Sequence, residues 1–195
     1  MSDKTIRYYD RNAEEFAAGT VNADMQELRA GFLKYLRPGA KILDAGCGSG
    51  RDALAFLKAG YEVDAFDGSA QMCRIASERT GISVRQLRFE EVEGEDEYDG
   101  IWACASLLHV HAKDLPAVLK RLYKLLKRGG VLYVSFKYGS GERQKGDRYF
   151  HDLTESECRD LLAEAGFSEM EILVTGDVRA GRQDEKWVNA YAQKD

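Results

Sequence analysis

The sequence predicts an α/β protein, a doubly wound and mostly parallel sheet with helices on both faces. Three observations predict it. Short apolar runs of strand length recur at 41–45, 61–66, 82–88, 98–105 and 131–136. Stretches with apolar residues at helical spacing separate them, and glycines punctuate the joins. Strands that alternate with helices pair in parallel through right-handed crossovers, which covers the sheet on both sides.

Each element has a local cause. Residues 1–37 read as two helical stretches, the second carrying Leu28, Phe32, Leu33 and Leu36 before Arg37-Pro38-Gly39 stops it. KILDA (41–45) is the first strand, followed by a glycine loop and a helix with Leu54, Phe56 and Leu57 that Gly60 ends. YEVDAF (61–66) is the second strand. Ser69 caps the next helix, which carries Met72, Ile75 and Ala76 and stops at Gly81 ahead of a third strand near 82–88. YDGIWACA (98–105) is the fourth. Asp114 caps a leucine-rich helix, and Gly129-Gly130 turns into VLYVSF (131–136). Thr154 and Glu157 form a capping box for a helix that Gly166 ends, and EILVT (171–175) with WVNAYA (187–192) closes the sheet as a hairpin.

Composition narrows the function classes. A chain of 195 residues fits one domain, divided here into a helical cap (1–37), a ligand-binding core (38–137) and a lid segment with the final helix and hairpin (138–195). The 28 basic and 33 acidic residues leave a net charge of −5, which argues against a broad nucleic-acid surface. No apolar run reaches the ~18 residues of a membrane span, and MSDKTIRYYDRN lacks the apolar region of a secretory signal. The expected place is the cytoplasm, with no membrane partner. Cys47, Cys73, Cys104 and Cys158 are far apart without a CxxC pair, so they read as reduced thiols and mostly as small buried hydrophobes, with no metal spacing.

Asp44-Ala45-Gly46-Cys47-Gly48-Ser49-Gly50 places GxGxG between a strand and a helix, where glycine lets the backbone turn and approach a ligand. The dinucleotide fingerprint calls for a small residue at 51, and Arg51 stands there. Asp44, where the strand opens into the loop, repels a pyrophosphate and attracts an ammonium group. Asp67 ends the second strand 21 residues after Gly46, where a carboxylate accepts hydrogen bonds from ribose hydroxyls. An amino-acid end plus a ribose points to S-adenosylmethionine. The competing reading makes Asp44 a turn former and Asp67 a helix cap.

LDAGCGSG with an acid at the end of the second strand resembles the class I S-adenosylmethionine-dependent methyltransferases. AGCGSGRDALAFLKAGYEVDAFD, YDGIWACASLLHV and LKRGGVLYVSFK look most like the small-molecule members, the tellurite-resistance type among them. The resemblance runs from about 40 to 137 and more loosely to the end. It implies a Rossmann-like, seven-stranded sheet. It also implies that Asp44, Gly46, Gly48 and Gly50 hold the methionine end of S-adenosylmethionine and that Asp67 holds the ribose. Arg88 and Phe89 fall nearest in register to the adenine contacts, with Glu90 the nearest acid, because the usual GD pair is absent. Ala105 lines the methionine side chain, Tyr9 belongs to a cap over the cofactor, and the product is S-adenosyl-L-homocysteine.

Methyl transfer needs alignment and desolvation rather than an enzyme nucleophile, so the cysteines are not expected to act as catalysts. His109, just past the fourth strand, is the candidate general base for an O, N or S nucleophile, with structural packing as the alternative; His111 is the weaker candidate. CASLLH occupies the position where nucleic-acid amino methyltransferases carry [DNS]PP[YF], which points to a small-molecule acceptor. Residues 137–152, with Lys137, Arg143, Arg148 and Tyr149, read either as a lid that greets an anionic acceptor or as a solvated loop. Two rivals remain: a protein that binds S-adenosylmethionine as a sensor without transferring its methyl, and a nucleotide-dependent oxidoreductase, which Asp44 and Arg51 disfavour.

Overall fold

A computed structural model describes residues 2–179, 181, 182 and 184–195. The strands are β1 (Lys41–Ala45), β2 (Glu62–Asp67), β3 (Arg85–Gln86), β4 (Tyr98–Ala103), β5 (Leu126–Lys137), β6 (Gly141–Lys145), β7 (Arg148–Asp152), β8 (Glu169–Gly176) and β9 (Lys186–Gln193). The helices are α1 (Asp3–Arg11), α2 (Ala13–Thr20), α3 (Gln26–Leu33), α4 (Arg51–Lys58), α5 (Ala70–Thr80), α6 (Leu115–Leu125) and α7 (Glu155–Ala165). Among the described residues seven strands form one sheet in the order β3-β2-β1-β4-β5-β9-β8. The first five pair in parallel, whereas β9 runs antiparallel to both β5 and β8.

Alternation along the strands sends neighbouring side chains to opposite faces, and both faces are covered. Ile42 joins Phe32 of α3, Phe56 of α4 and Trp102, which stacks on Tyr133 with ring centroids 3.8 Å apart. Leu43 faces the other layer, with Leu119 and Leu122 of α6 and Leu162 of α7. Helix ends follow the local chemistry: Ser69 Oγ accepts from Met72 N at 3.1 Å, and Thr154 and Glu157 cap each other's backbone. Asp114 occupies the N-cap of α6 but makes no side-chain cap bond; Pro116, in the first turn, sets the helix start.

The structure differs from the sequence reading in three places. Residues 2–37 hold three helices rather than two, because the chain breaks at Asn12, whose Nδ2 donates to Tyr8 O at 2.7 Å. The third strand shrinks to Arg85–Gln86. Residues 141–152 form the β6–β7 hairpin, neither a loose loop nor part of the main sheet. No helix among the described residues is long and apolar enough to cross a membrane.

Connections out of β1 position the site. Its neighbours are β2, reached through α4, and β4, two strands later, so the order reverses at β1. A crevice opens at the carboxyl ends of strands where that happens.

Candidate functional site

The crevice is a cleft of about 1540 Å³, its open mouth included. Asp44, Gly46, Gly48, Asp67, Ala105, His109 and Tyr9 all line it.

At one end the walls are acidic. Asp44 is only 3% exposed, and its Oδ2 accepts from Ala53 N of α4 at 3.0 Å. Burial, reinforced by the nearby charge of Asp52, pushes its carboxyl well above the usual range. Asp52 is held by three donors: Arg29 at 2.7 Å, Arg51 at 2.6 Å and the Trp102 indole at 3.0 Å. Burial works against that carboxylate, but the two guanidiniums prevail and lower its pKa. Asp67 receives Gly48 N and Ser69 N, both at 2.9 Å, one on each oxygen. A carboxylate offers about four lone-pair positions, so Asp67 retains acceptor capacity towards the cleft. Burial raises its pKa as well.

The glycine loop shows why two of its residues have no side chain. A Cβ on Gly46 would lie 2.5 Å from Ser106 Cβ, since Ser106 Oγ reaches across to donate to Ala45 O at 2.8 Å. Gly48, at φ +53°, has nothing within 4 Å of that position and faces open space. Gly50, also left-handed at φ +75°, begins α4 but does not line the cleft. Ala105 is itself left-handed at φ +51° and is tied to β5 by its N–H, which donates to Ser135 Oγ at 2.8 Å.

The N-terminal helices close over this loop. Asp10 accepts from Ser69 Oγ at 2.6 Å, which fastens α1 to the start of α5. Tyr9 packs edge-on against Phe16 and approaches His109 Nε2 to 2.8 Å. On its other side His109 Nδ1 meets Tyr149 O of β7 at 2.7 Å. Only N–H can satisfy a carbonyl, so Nδ1 carries the proton and Nε2 accepts the Tyr9 hydroxyl. Burial lowers the His109 pKa to about 4 and raises that of Tyr9 to about 12, so the pair is neutral near pH 7.

Residues 42–130 match a family described as "Methyltransferase domain". Over this stretch the chain is similar to methyltransferase domains. Phosphoethanolamine N-methyltransferase 1 of Arabidopsis thaliana is 28% identical to it, over 92% of this chain and 42% of that protein. Malonyl-[acyl-carrier protein] O-methyltransferase of Serratia marcescens is 32% identical, over 68% of this chain and 52% of the relative. The chain thus spans about half the length of these curated relatives. The fold matches the Burkholderia thailandensis 1,6-didemethyltoxoflavin-N1-methyltransferase with a TM-score of 0.81 at 24% identity, covering 98% of this chain and 88% of that one.

Three sequence expectations need correction. The Arg88 side chain pairs with Asp3 of α1 and does not line the cleft. Phe89 is 2% exposed and lies beneath the loop, packed on Phe66 with centroids 5.2 Å apart. Lys137, read as facing an acceptor, is buried against Asp177 and Glu185. Of the cysteines, Cys73 and Cys158 are buried as expected, while Cys47 and Cys104 line the cleft.

Residues missed in the sequence reading lie mostly between β8 and β9. Asp177 binds Lys137, Arg179 and the Trp187 indole, and these contacts overcome burial to hold its carboxyl well below the usual range. The charged run Asp177–Glu185 between two strand patterns was the available signal.

Proposed function

We propose that this protein transfers the methyl group of S-adenosylmethionine to a small-molecule O, N or S acceptor by in-line displacement. The observation that carries the reading is the convergence of Asp44, the open face of Gly48 and the two-oxygen cradle of Asp67 on one cleft at the strand-order reversal. That donor set fits the cofactor. Asp44 suits an ammonium group and Asp67 suits vicinal hydroxyls; at the start of α4 Asp44 already takes the Ala53 N–H, and Arg51 stands where a dinucleotide needs a small residue.

S-adenosylmethionine, when bound, supplies an electrophilic methyl with a good leaving group. The chain's residues supply the rest. Asp44 and the loop hold the amino-acid end, Asp67 the ribose, and Ala105 the stretch between them. Proximity of this kind is worth ~7–11 kcal/mol when geometry is right. His109 acts through Tyr9 in this reading: both its nitrogens are engaged, so it fixes the Tyr9 hydroxyl, whose remaining lone pair orients an acceptor N–H or O–H. The α1–α2 cap excludes water. The four free cysteines suit a reducing compartment, and the cytoplasm is the proposed place of action.

Incubation of the full chain with radiolabelled S-adenosylmethionine and a panel of small amines, acids and thiols tests the reading. Labelled product that depends on an acceptor is the expected outcome. Tight uptake of the donor with no transfer to any acceptor would leave a sensor instead.

A further inference from the structure

The far end of the cleft has no part in holding the donor, and there the lining turns basic: Lys137, Arg143, Lys145, Arg148, Arg179 and Arg182. Four of these charges are already answered. Lys137 and Arg179 pair with Asp177, Arg182 with Glu185, and Arg143 with Asp152. Among the described residues no carboxylate pairs with Arg148 or Lys145.

Arg148 is the more telling of the two. Its guanidinium lies over the ring of Tyr8, 4.6 Å from the centroid, and 5.3 Å from that of Phe150, so its position is set by two aromatic neighbours. Its Nε is buried and has no hydrogen-bond partner among the described residues. A buried donor left unanswered is costly, so this one calls for an acceptor that the protein's own described residues do not supply. The charge also acts on the Tyr9–His109 pair, opposing the burial that raises Tyr9 and adding to the fall at His109. Arg148 therefore stands beside the group that would orient an acceptor. Arg is suited to this work because its planar donors match the oxygens of a carboxylate or phosphate.

We propose that Arg148, with Lys145 at the rim, forms an oxyanion subsite, and that the methyl acceptor carries a phosphate or carboxylate group anchored there. The inference rests on the methyltransferase reading and adds to it the chemical class of the acceptor. The carboxylates at one end then receive a cationic donor, and Arg148 with Lys145 at the other receive an anionic acceptor.

Calorimetry tests this on the full chain saturated with S-adenosylhomocysteine. Inorganic phosphate and sodium acetate are titrated separately, with chloride holding the ionic strength constant. Saturable binding of at least one is expected, and which one binds separates a phosphomonoester from a carboxylate. Arg148→Gln is expected to weaken that binding at least tenfold and Arg148→Lys to recover part of it. Lys145→Gln, at an exposed position that puts no demand on folding, is expected to weaken it about twofold to threefold. The proposal is overturned if neither anion binds the wild-type protein, or if folded Arg148→Gln and Lys145→Gln proteins bind as tightly as wild type. Failure of S-adenosylhomocysteine itself to bind removes the methyltransferase reading, and this inference with it; homocysteine-nucleoside binding without anion binding removes only this inference.

Discussion

The two ends of the cleft differ in charge and in how they are built. The donor end stands on the carboxyl ends of β1 and β2, and the two carboxylates proposed to meet the ligand are fixed by backbone N–H groups: Ala53 on Asp44, Gly48 and Ser69 on Asp67. The acceptor end stands on additions to the sheet, the β6–β7 hairpin and the β8–β9 connection, and four of its basic charges are paired with side-chain carboxylates. Backbone donors hold a group at one position for as long as the fold persists. Side-chain pairs can be exchanged one at a time. The difference suits a site that keeps one donor and selects its acceptor.

The sharpest break comes at Asp67. Replacement by Ala removes the proposed ribose acceptor and orphans two N–H groups; at ~1.5–3 kcal/mol per charge-assisted bond, S-adenosylhomocysteine affinity should fall about 100-fold by calorimetry. An equal loss in Arg148→Ala would erase the distinction between the ends.

His109 gives the next largest effect. In the unfolded chain it takes up a proton near pH 6.5, but in the folded protein only near pH 4, so the unfolded state binds more protons between these values. Stability should therefore fall as pH drops from 8 to 5, by about 2 kcal/mol from this residue alone. Urea midpoints at the two pH values, compared with those of His109→Gln, measure that share. A variant as acid-sensitive as wild type would mean that His109 is not held neutral.

Asp44→Asn separates binding from stability. Its amide oxygen still accepts from Ala53, and a buried carboxyl whose ionised form burial disfavours is gone, so the melting temperature should hold or rise while S-adenosylhomocysteine affinity drops about tenfold. The sign of the pH dependence follows. An ammonium favours the ionised carboxyl, so wild-type affinity should weaken as pH falls through the raised pKa of Asp44, whereas the Asn variant should lose this dependence. The smallest effect is expected at Tyr9→Phe, about threefold to tenfold in kcat with the donor KM nearly unchanged. Combined with His109→Gln the losses should fall short of additive, because the two residues share one hydrogen bond.

These halves were also unequally legible in the sequence. β1, the glycine loop, α4, β2 and α5 follow from local rules: apolar strand runs, left-handed glycines, and Ser69 and Gly81 at the helix ends. Asp44 and Asp67 reach the cleft because strand ends fix them. The acceptor end was harder to read. β6 is exposed along its whole length, so GERQK carries no alternation to mark a strand. The break at Asn12 leaves no trace in apolar spacing. Arg88 and Phe89 were placed by register, but a third strand only two residues long cannot carry register that far, and Arg88 turned outward to Asp3. His109 was legible as a site residue; its saturation by Tyr9 and Tyr149, 100 and 40 residues away in sequence, is tertiary information.

Titration of the full chain with S-adenosylmethionine, S-adenosylhomocysteine and NADH, followed by calorimetry, addresses the donor end most directly. One-to-one uptake of the two sulfur compounds is expected, and no uptake of NADH. Tight NADH binding without either sulfur compound would contradict the account.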